Sequence, residues 1–362
     1  MDIPLTAGAT LRPLVLPARA DAADAGEFRE LARVRNLVYR EITGRDEDDL
    51  TPEALLPILR SRKERTTVVW AVRIGEEIVG RAIVNIPHEE GSRVAIVSIE
   101  LRPHVWGRGI GSAVLPHLED VARQHGRSVL QEWLEQQPSD GPRIEAQTGF
   151  GSVPDDHVSR FLLRHGYQLE QVYRASHLTL SPETIQHARE LLADARAAST
   201  DYRVVHWMLP TPADRAEGYA WMKSRMSTDA PSAGIETDEE TWDVARLQEG
   251  ERRLAEMGRT VLVTAAEHIA TGELSAFTEL AIGPDHDAVT HQEDTLVLGE
   301  HRGHRLGQLV KCAALLEWLA VAPRSPRVIT YNAEENRPML SINEAMGFTP
   351  TAYEGAWKKE LT

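Results

Sequence analysis

Gly107, Gly109 and Gly111 fall at alternate positions of the stretch RPHVWGRGIGSAVL. An apolar run (VAIVSIEL) precedes it and an amphipathic run (SAVLPHLEDVARQHG) follows it. Glycines between a strand and a helix let the backbone turn sharply and aim successive N–H groups at one point. The helix N-terminus adds partial positive charge, so the arrangement suits a phosphate. Two familiar phosphate loops are excluded. No Gly-Lys-Ser/Thr is present, and the glycine spacing is not that of the dinucleotide fingerprint. A second stretch, HRGHRLG, repeats the pattern about 196 residues on, counted from Gly107 to Gly303. His291, His301 and His304 match no standard metal-ligand spacing, so no metal is expected.

The elements that must position these loops read as two similar series. In the first, ATLRPLVLP is a strand and DAGEFRELARVRNLVYREI a helix. TPEALLPILRSR opens a second helix, with Thr51 as N-cap and Pro52 at its first position. Two strands around a GEE turn, the strand SRVAIVSIELRP, the loop and its helix follow. SVLQEWLEQ is a strand, DDHVSRFLLRHGY a short helix and QVYRASHLTL a last strand. After Asp201 the order begins again with YRVVHWMLP and closes with the strand GAWKKEL. Each loop is followed by a helix ending in a Gly-aromatic pair, Gly166-Tyr167 and Gly347-Phe348. Two copies of one domain account for this. The expected domains are 1–180 and 201–362. Residues 181–200, with Ser181 and Pro182 starting a helix, read as a linking helix or as the last helix of the first domain.

Length and composition agree. A chain of 362 residues is long for one core. Its 42% hydrophobic and 26% charged residues are those of a globular protein. A formal charge of −15 disfavours nucleic acid and anionic membrane as partners. The single cysteine, Cys312, lies in the apolar helical run LVKCAALLEWLA and reads as a core residue, so no intrachain disulfide is expected. No signal peptide and no apolar run of membrane-spanning length is evident, which makes the cytoplasm the expected location.

The sequence resembles the GNAT superfamily of acyl-CoA-dependent N-acyltransferases. The resemblance rests on Leu101, Pro103, Gly107, Gly109, Ile110 and Gly111 in the first half. In the second half it rests on Val297, Arg302, Gly303, Leu306 and Gly307, and on Asn336 before a helix ending in Gly347-Phe348. The duplicated order is similar to that of mycothiol synthase and of actinobacterial tandem GNAT proteins. Three positions depart from the family pattern. Trp106 stands where Gln or Arg is usual, Arg305 replaces the middle glycine, and Asp155 stands at the first half's Asn position. The resemblance implies an α/β fold of two tandem domains, each a mixed sheet splayed before its glycine loop and flanked by helices.

It also implies acetyl-CoA as cofactor. In the first half the pyrophosphate would meet the backbone of Gly107, Arg108, Gly109, Ile110, Gly111 and Ser112. The strand edge Ile99, Glu100 and Leu101 would pair with the pantetheine amides as an added strand does. The second-half counterparts are Leu296, Val297 and Leu298, then Arg302, Gly303, His304, Arg305, Leu306 and Gly307, with Asn336. Acyl transfer to an amine needs a neutral amine, a donor for the developing oxyanion and a proton for the departing thiol. The family's acid, a Tyr four residues before the Gly of the Gly-aromatic pair, is replaced by Leu162 and Asn343. Asn343 can hydrogen-bond a sulfur but is no acid. Glu293, nine residues before Arg302, is the candidate base, and strand alternation turns its neighbour Asp294 to the other face. The reading is N-acetyl transfer to a small-molecule amine by a monomer or homodimer, with the second half catalytic. A catalytically degenerate tandem domain that binds CoA as sensor or scaffold is the alternative.

Overall fold

The computed structural model describes residues 2–229 and 231–361; the outermost expected domain limits, residues 1 and 362, lie outside the described residues. In chain order the elements begin with β1 (Ile3–Pro4), β2 (Ala9–Pro13), α1 (Gly26–Thr43), α2 (Pro52–Leu59), β3 (Arg65–Ile74), β4 (Glu77–Pro87), β5 (Val94–Leu101) and α3 (Ile110–Gln124). Next come β6 (Val129–Gln136), β7 (Arg143–Glu145), β8 (Ser152–Pro154), α4 (His157–Arg164), β9 (Gln168–Thr179) and α5 (Pro182–Ala198). The series continues with β10 (Tyr202–Met208), α6 (Ala213–Asp229), α7 (Val244–Glu256), β11 (Thr260–His268), β12 (Leu274–Ile282) and β13 (Thr290–Val297). It ends with α8 (Leu306–Val321), β14 (Arg327–Ala333), α9 (Arg337–Met346) and β15 (Thr349–Glu360).

Among the described residues two compact units form: residues 2–172, 233–236 and 353–361, and residues 173–229, 231–232 and 237–352. These are not the contiguous halves expected from sequence. The closing strand's residues Tyr353–Glu360 pair antiparallel with β6 in the first unit, from Tyr353↔Gln136 to Glu360↔Val129. Burial fixes that placement, because Trp357 is wholly enclosed in the first unit's core. Residues Tyr173–Thr179 of β9, expected to end the first domain, pair with β14 in the second unit and bury Leu178 there. The expected linking helix α5 is likewise a core element of the second unit. Ala188, Leu192 and Ala195 pack with Leu309, Cys312 and Trp318 of α8.

Within the first unit the sheet order is β1-β2-β3-β4-β5-β6, followed by Tyr353–Glu360. Alternate residues of β3 serve opposite faces. Trp70 and Val72 join the core under α3, while Val69 and Ala71 join the one under α1 and α2. Local signals set the helix starts. The Thr51 side chain accepts from Ala54 N–H at 3.2 Å, with Pro52 in the first turn. The second unit repeats the plan, with α5 and α8 on one face and α6 and α7 on the other.

In each unit the strand before the glycine loop parts from its parallel neighbour. In the first unit β5 and β6 pair in parallel only at Val94↔Val129, Ala95↔Leu130 and Ile96↔Gln131. Beyond that point β5 stays with β4 as far as Leu101↔Gly80 and parts from β6. In the second unit β13 and β14 pair only at Thr290↔Val328 and His291↔Ile329.

Candidate active site

Three local features build the first-unit site. Pro103–Val105 forms a short turn after β5, and Gly107 and Gly109 take φ of 71° and 77°. A side chain in that left-handed region costs about 1–2 kcal/mol, so both positions suit glycine. Gly111 serves packing instead. A Cβ there would stand 3.2 Å from the Phe161 ring, so its absence lets α4 approach α3. No side chain caps α3, and its first-turn N–H groups therefore remain an anion-binding end.

A cavity of about 440 Å³ opens from this loop into the gap between β5 and β6. It brings together Ile99, Glu100, Leu101, Gly107, Gly109, Ile110, Gly111 and Ser112 of the expected set. Arg108 turns away, its guanidinium on the Ala7 carbonyl at 3.2 Å. Arg164 of α4 adds positive charge to the lining, and Arg160, paired with Asp155, completes it. Trp106 does more than pack. Its indole N–H donates to the Leu101 carbonyl at 2.7 Å, and its ring stacks on His157 at 3.9 Å between centroids.

Glu100 is held from the neighbouring strand rather than by Arg102. Two 2.7 Å hydrogen bonds from Arg81 on β4 hold its carboxylate, and the pair is buried. Arg102 binds Glu41 instead. A second carboxyl, Glu132 of β6, lines the same cavity and lacks a cationic partner in the cavity wall. It accepts from Ile99 N–H at 3.4 Å across the gap. Burial pushes Glu132 up to about 8; the Ile99 N–H opposes this and the charge of Glu100 adds to it. Glu132 is absent from the residues marked by the sequence motifs. The available signal was the pair Gln131-Glu132 inside a parallel-paired strand, where apolar residues are the rule.

The second-unit loop keeps the backbone shape. Gly303 has φ of 88°, and Arg305 takes the place of Gly109 with φ 54° and ψ 24°. No side chain caps α8 either. Gly347 (φ 96°) corresponds to Gly166 (φ 83°) after the later helix of each unit. The Arg302 Nε donates to the Val297 carbonyl at 3.3 Å. Leu296 and Leu298 are buried, and Leu306 and Gly307 start α8. His304 and His301 gather on Tyr202, whose hydroxyl lies 2.8 Å from His301 Nδ1. Among the described residues no cluster of three or more His, Cys, Asp or Glu could hold a metal ion.

The remaining second-half candidates are dispersed. Glu293 binds Arg259 at 2.7 Å and lines a separate cavity of about 240 Å³ with Asp294 and Lys223, whose described lining includes none of the loop residues. Asn343 is buried and donates to Asn332 at 2.6 Å. Asn336 caps α9 by accepting from Met339 N–H. Its first-unit counterpart as a cap is Asp156, which accepts from the Val158 and Ser159 N–H groups; Asp155 pairs with Arg160.

A loop that presents bare helix N–H groups beside a parted strand edge suits an anionic ligand with an extended arm. Residues 31–145 match the model of the Acetyltransferase (GNAT) family. The chain is similar over its whole length to a tandem GNAT protein from the clavulanic acid biosynthesis pathway. Identity is 25%, coverage 97% of this chain and 98% of that one, and the TM-score 0.74. It also shares its fold with a GCN5-related N-acetyltransferase from Sphaerobacter thermophilus (13% identity, 99% and 97% covered, TM-score 0.64). A putative acetyltransferase from Pyrococcus horikoshii is a further fold relative (10% identity, 98% and 90% covered, TM-score 0.54). No curated protein matches the sequence. Residues 31–145 thus carry the match to that acetyltransferase family, and the whole chain has the fold of the tandem GNAT protein. Among the described residues no helix is long and apolar enough to cross a membrane.

Proposed function

We propose that the protein transfers an acetyl group from acetyl-CoA to the primary amine of a small molecule, and that the first unit carries the reaction. The observation behind this reading is one cavity that joins the glycine loop, the open edge of β5 and two buried carboxyl groups. The residues fit the coenzyme. The uncapped first turn of α3 suits the pyrophosphate, Arg164 supplies charge near it, and the parted β5 edge suits the pantetheine amides. The coenzyme, when bound, supplies the activated acyl carbon and a thiol leaving group. Arg81 keeps Glu100 paired and so excludes it as a free base. Trp106 closes the strand end by holding the Leu101 carbonyl.

Release of thiol from acetyl-CoA, followed across a panel of primary amines, tests the reading. Wild type should turn over with at least one amine and Gly109→Val should not. The absence of a Tyr at Leu162, which is 1% exposed in the core, favours the alternative of a CoA-binding sensor. CoA binding without turnover on any amine would establish that alternative.

A further inference from the structure

The gap between β5 and β6 closes at Ile96↔Gln131, and Glu132 is the next residue of β6. Its carboxyl therefore sits at the closed end of the gap, facing the Ile99 N–H at 3.4 Å. Glu132 is 5% exposed, yet it lines the cavity that reaches the glycine loop. An extended arm anchored at Gly107–Ser112 and running back along β5 would bring its far end toward this closed end. On the reading above, the far end is the sulfur. The position on α4 where the family resemblance places an acid holds Leu162, which lines the same cavity and has no proton to give.

We propose that Glu132 is the proton donor to the departing sulfur in the first unit, a catalytic residue supplied by β6 where α4 supplies none. The inference rests on the first-unit reading of acyl transfer. Glu132 gives its acid proton to sulfur as the C–S bond breaks and the C–N bond forms. The proton shed by the amine nitrogen returns to the Glu132 carboxylate through solvent, so no second acid is consumed and no charge is left over.

The surroundings keep that proton in place at neutral pH. Desolvation holds the carboxyl up to about 8, near the 8.5 of an ordinary thiol, where proton exchange between them is nearly balanced. The charged and titratable groups around it are Glu100 with its partner Arg81, Tyr39 behind them, the buried Tyr167, and His157, Arg160 and Arg164 along α4. Arg81 directs its Nε and Nη2 to Glu100, and Glu100 is its ion-pair partner in the cavity wall.

Infrared difference spectroscopy of the full chain, with and without CoA, reads the proton directly. The expected result is a protonated-carboxyl band that shifts when CoA binds, fades as pH rises through about 8 and is missing in Glu132→Gln. With acetyl-CoA and the amine panel, Glu132→Gln should lower kcat by about 10²-fold or more and leave the KM for acetyl-CoA within about twofold. The falling limb of kcat at alkaline pH should vanish with it. An unchanged kcat in Glu132→Gln, or a carboxyl band indifferent to CoA, overturns the proposal. Should Glu132→Gln not fold, the CoA-dependent band of wild type decides alone. Should no amine be acetylated, the functional reading fails while the infrared result still decides whether Glu132 carries a proton at the CoA thiol.

Discussion

The indole N–H of Trp106 lies 2.7 Å from the carbonyl oxygen of Leu101. In the second unit the guanidinium of Arg302 donates to the carbonyl of Val297, the residue equivalent to Leu101. The two side chains differ in size and charge but perform one task, satisfying the end of a strand edge that has left its neighbour. Trp106→Arg should therefore keep the donor, preserve the fold and strengthen CoA binding by adding charge near the loop. Trp106→Phe removes the donor and should cost about 1 kcal/mol of stability. Urea midpoints and calorimetry with CoA check both variants. Weaker binding by Trp106→Arg than by Trp106→Phe would contradict the assignment.

Gly109 and Arg305 take the same left-handed conformation before their helices. A valine at Gly109 adds a β-branched side chain at φ of 77°, with Thr6 Cγ2 3.4 Å from the new Cβ. Gly109→Val should abolish CoA binding at the first loop. Arg305→Gly relieves strain of about 1 kcal/mol in the second unit and should leave first-unit affinity unchanged. Unchanged CoA affinity in Gly109→Val, measured by calorimetry, would falsify the loop's role.

What could be read from sequence follows the range of the forces involved. Thr51-Pro52 and Ser181-Pro182 announce their helices because capping acts within one turn, and both helices start there. The glycines announce the loop because φ is a local property. The destination of the last strand is set by Trp357, whose enclosure depends on a core built from residues far away in the chain. The same holds for α5, whose apolar face finds α8 rather than the first unit. Glu132 is not legible in the sequence because its importance comes from the gap and from the pairing of Arg81 with Glu100, neither of which a linear pattern displays.

Arg81 and Glu100 form a buried, bidentate pair with side-chain exposures of 7% and 9%. Removing one partner leaves the other charge uncompensated in a low-dielectric wall. Arg81→Met should cost about 3–5 kcal/mol, and the double variant Arg81→Met with Glu100→Leu should recover most of it. Chemical denaturation of the three proteins measures the difference. A single variant as stable as wild type would show that solvent reaches the pair.

Glu293→Gln separates the two possible seats of catalysis. Glu293 is 41% exposed in its side chain and bound to Arg259, in a cavity apart from its own loop. With the reaction in the first unit, kcat should change by less than about threefold. A fall of about 10²–10⁴-fold, the scale of a lost general base, would place the reaction in the second unit with Glu293 acting through water.

Lys311 tests the second unit's core through pH. It is 1% exposed on α8, with its ammonium 5.6 Å from the centre of the Phe348 ring. Burial pulls its pKa down to about 7, well below that of an unfolded lysine. Between about pH 7 and 10 the unfolded chain therefore binds this proton and the folded chain does not. Stability must rise with pH across that window and owe no slope to Lys311 below it. Lys311→Met removes the titrating group. The variant should be more stable than wild type at about pH 6, and its advantage should shrink steadily toward pH 10. Urea denaturation at a series of pH values measures both curves. A constant difference between them would mean that Lys311 reaches solvent in the folded protein and keeps its charge.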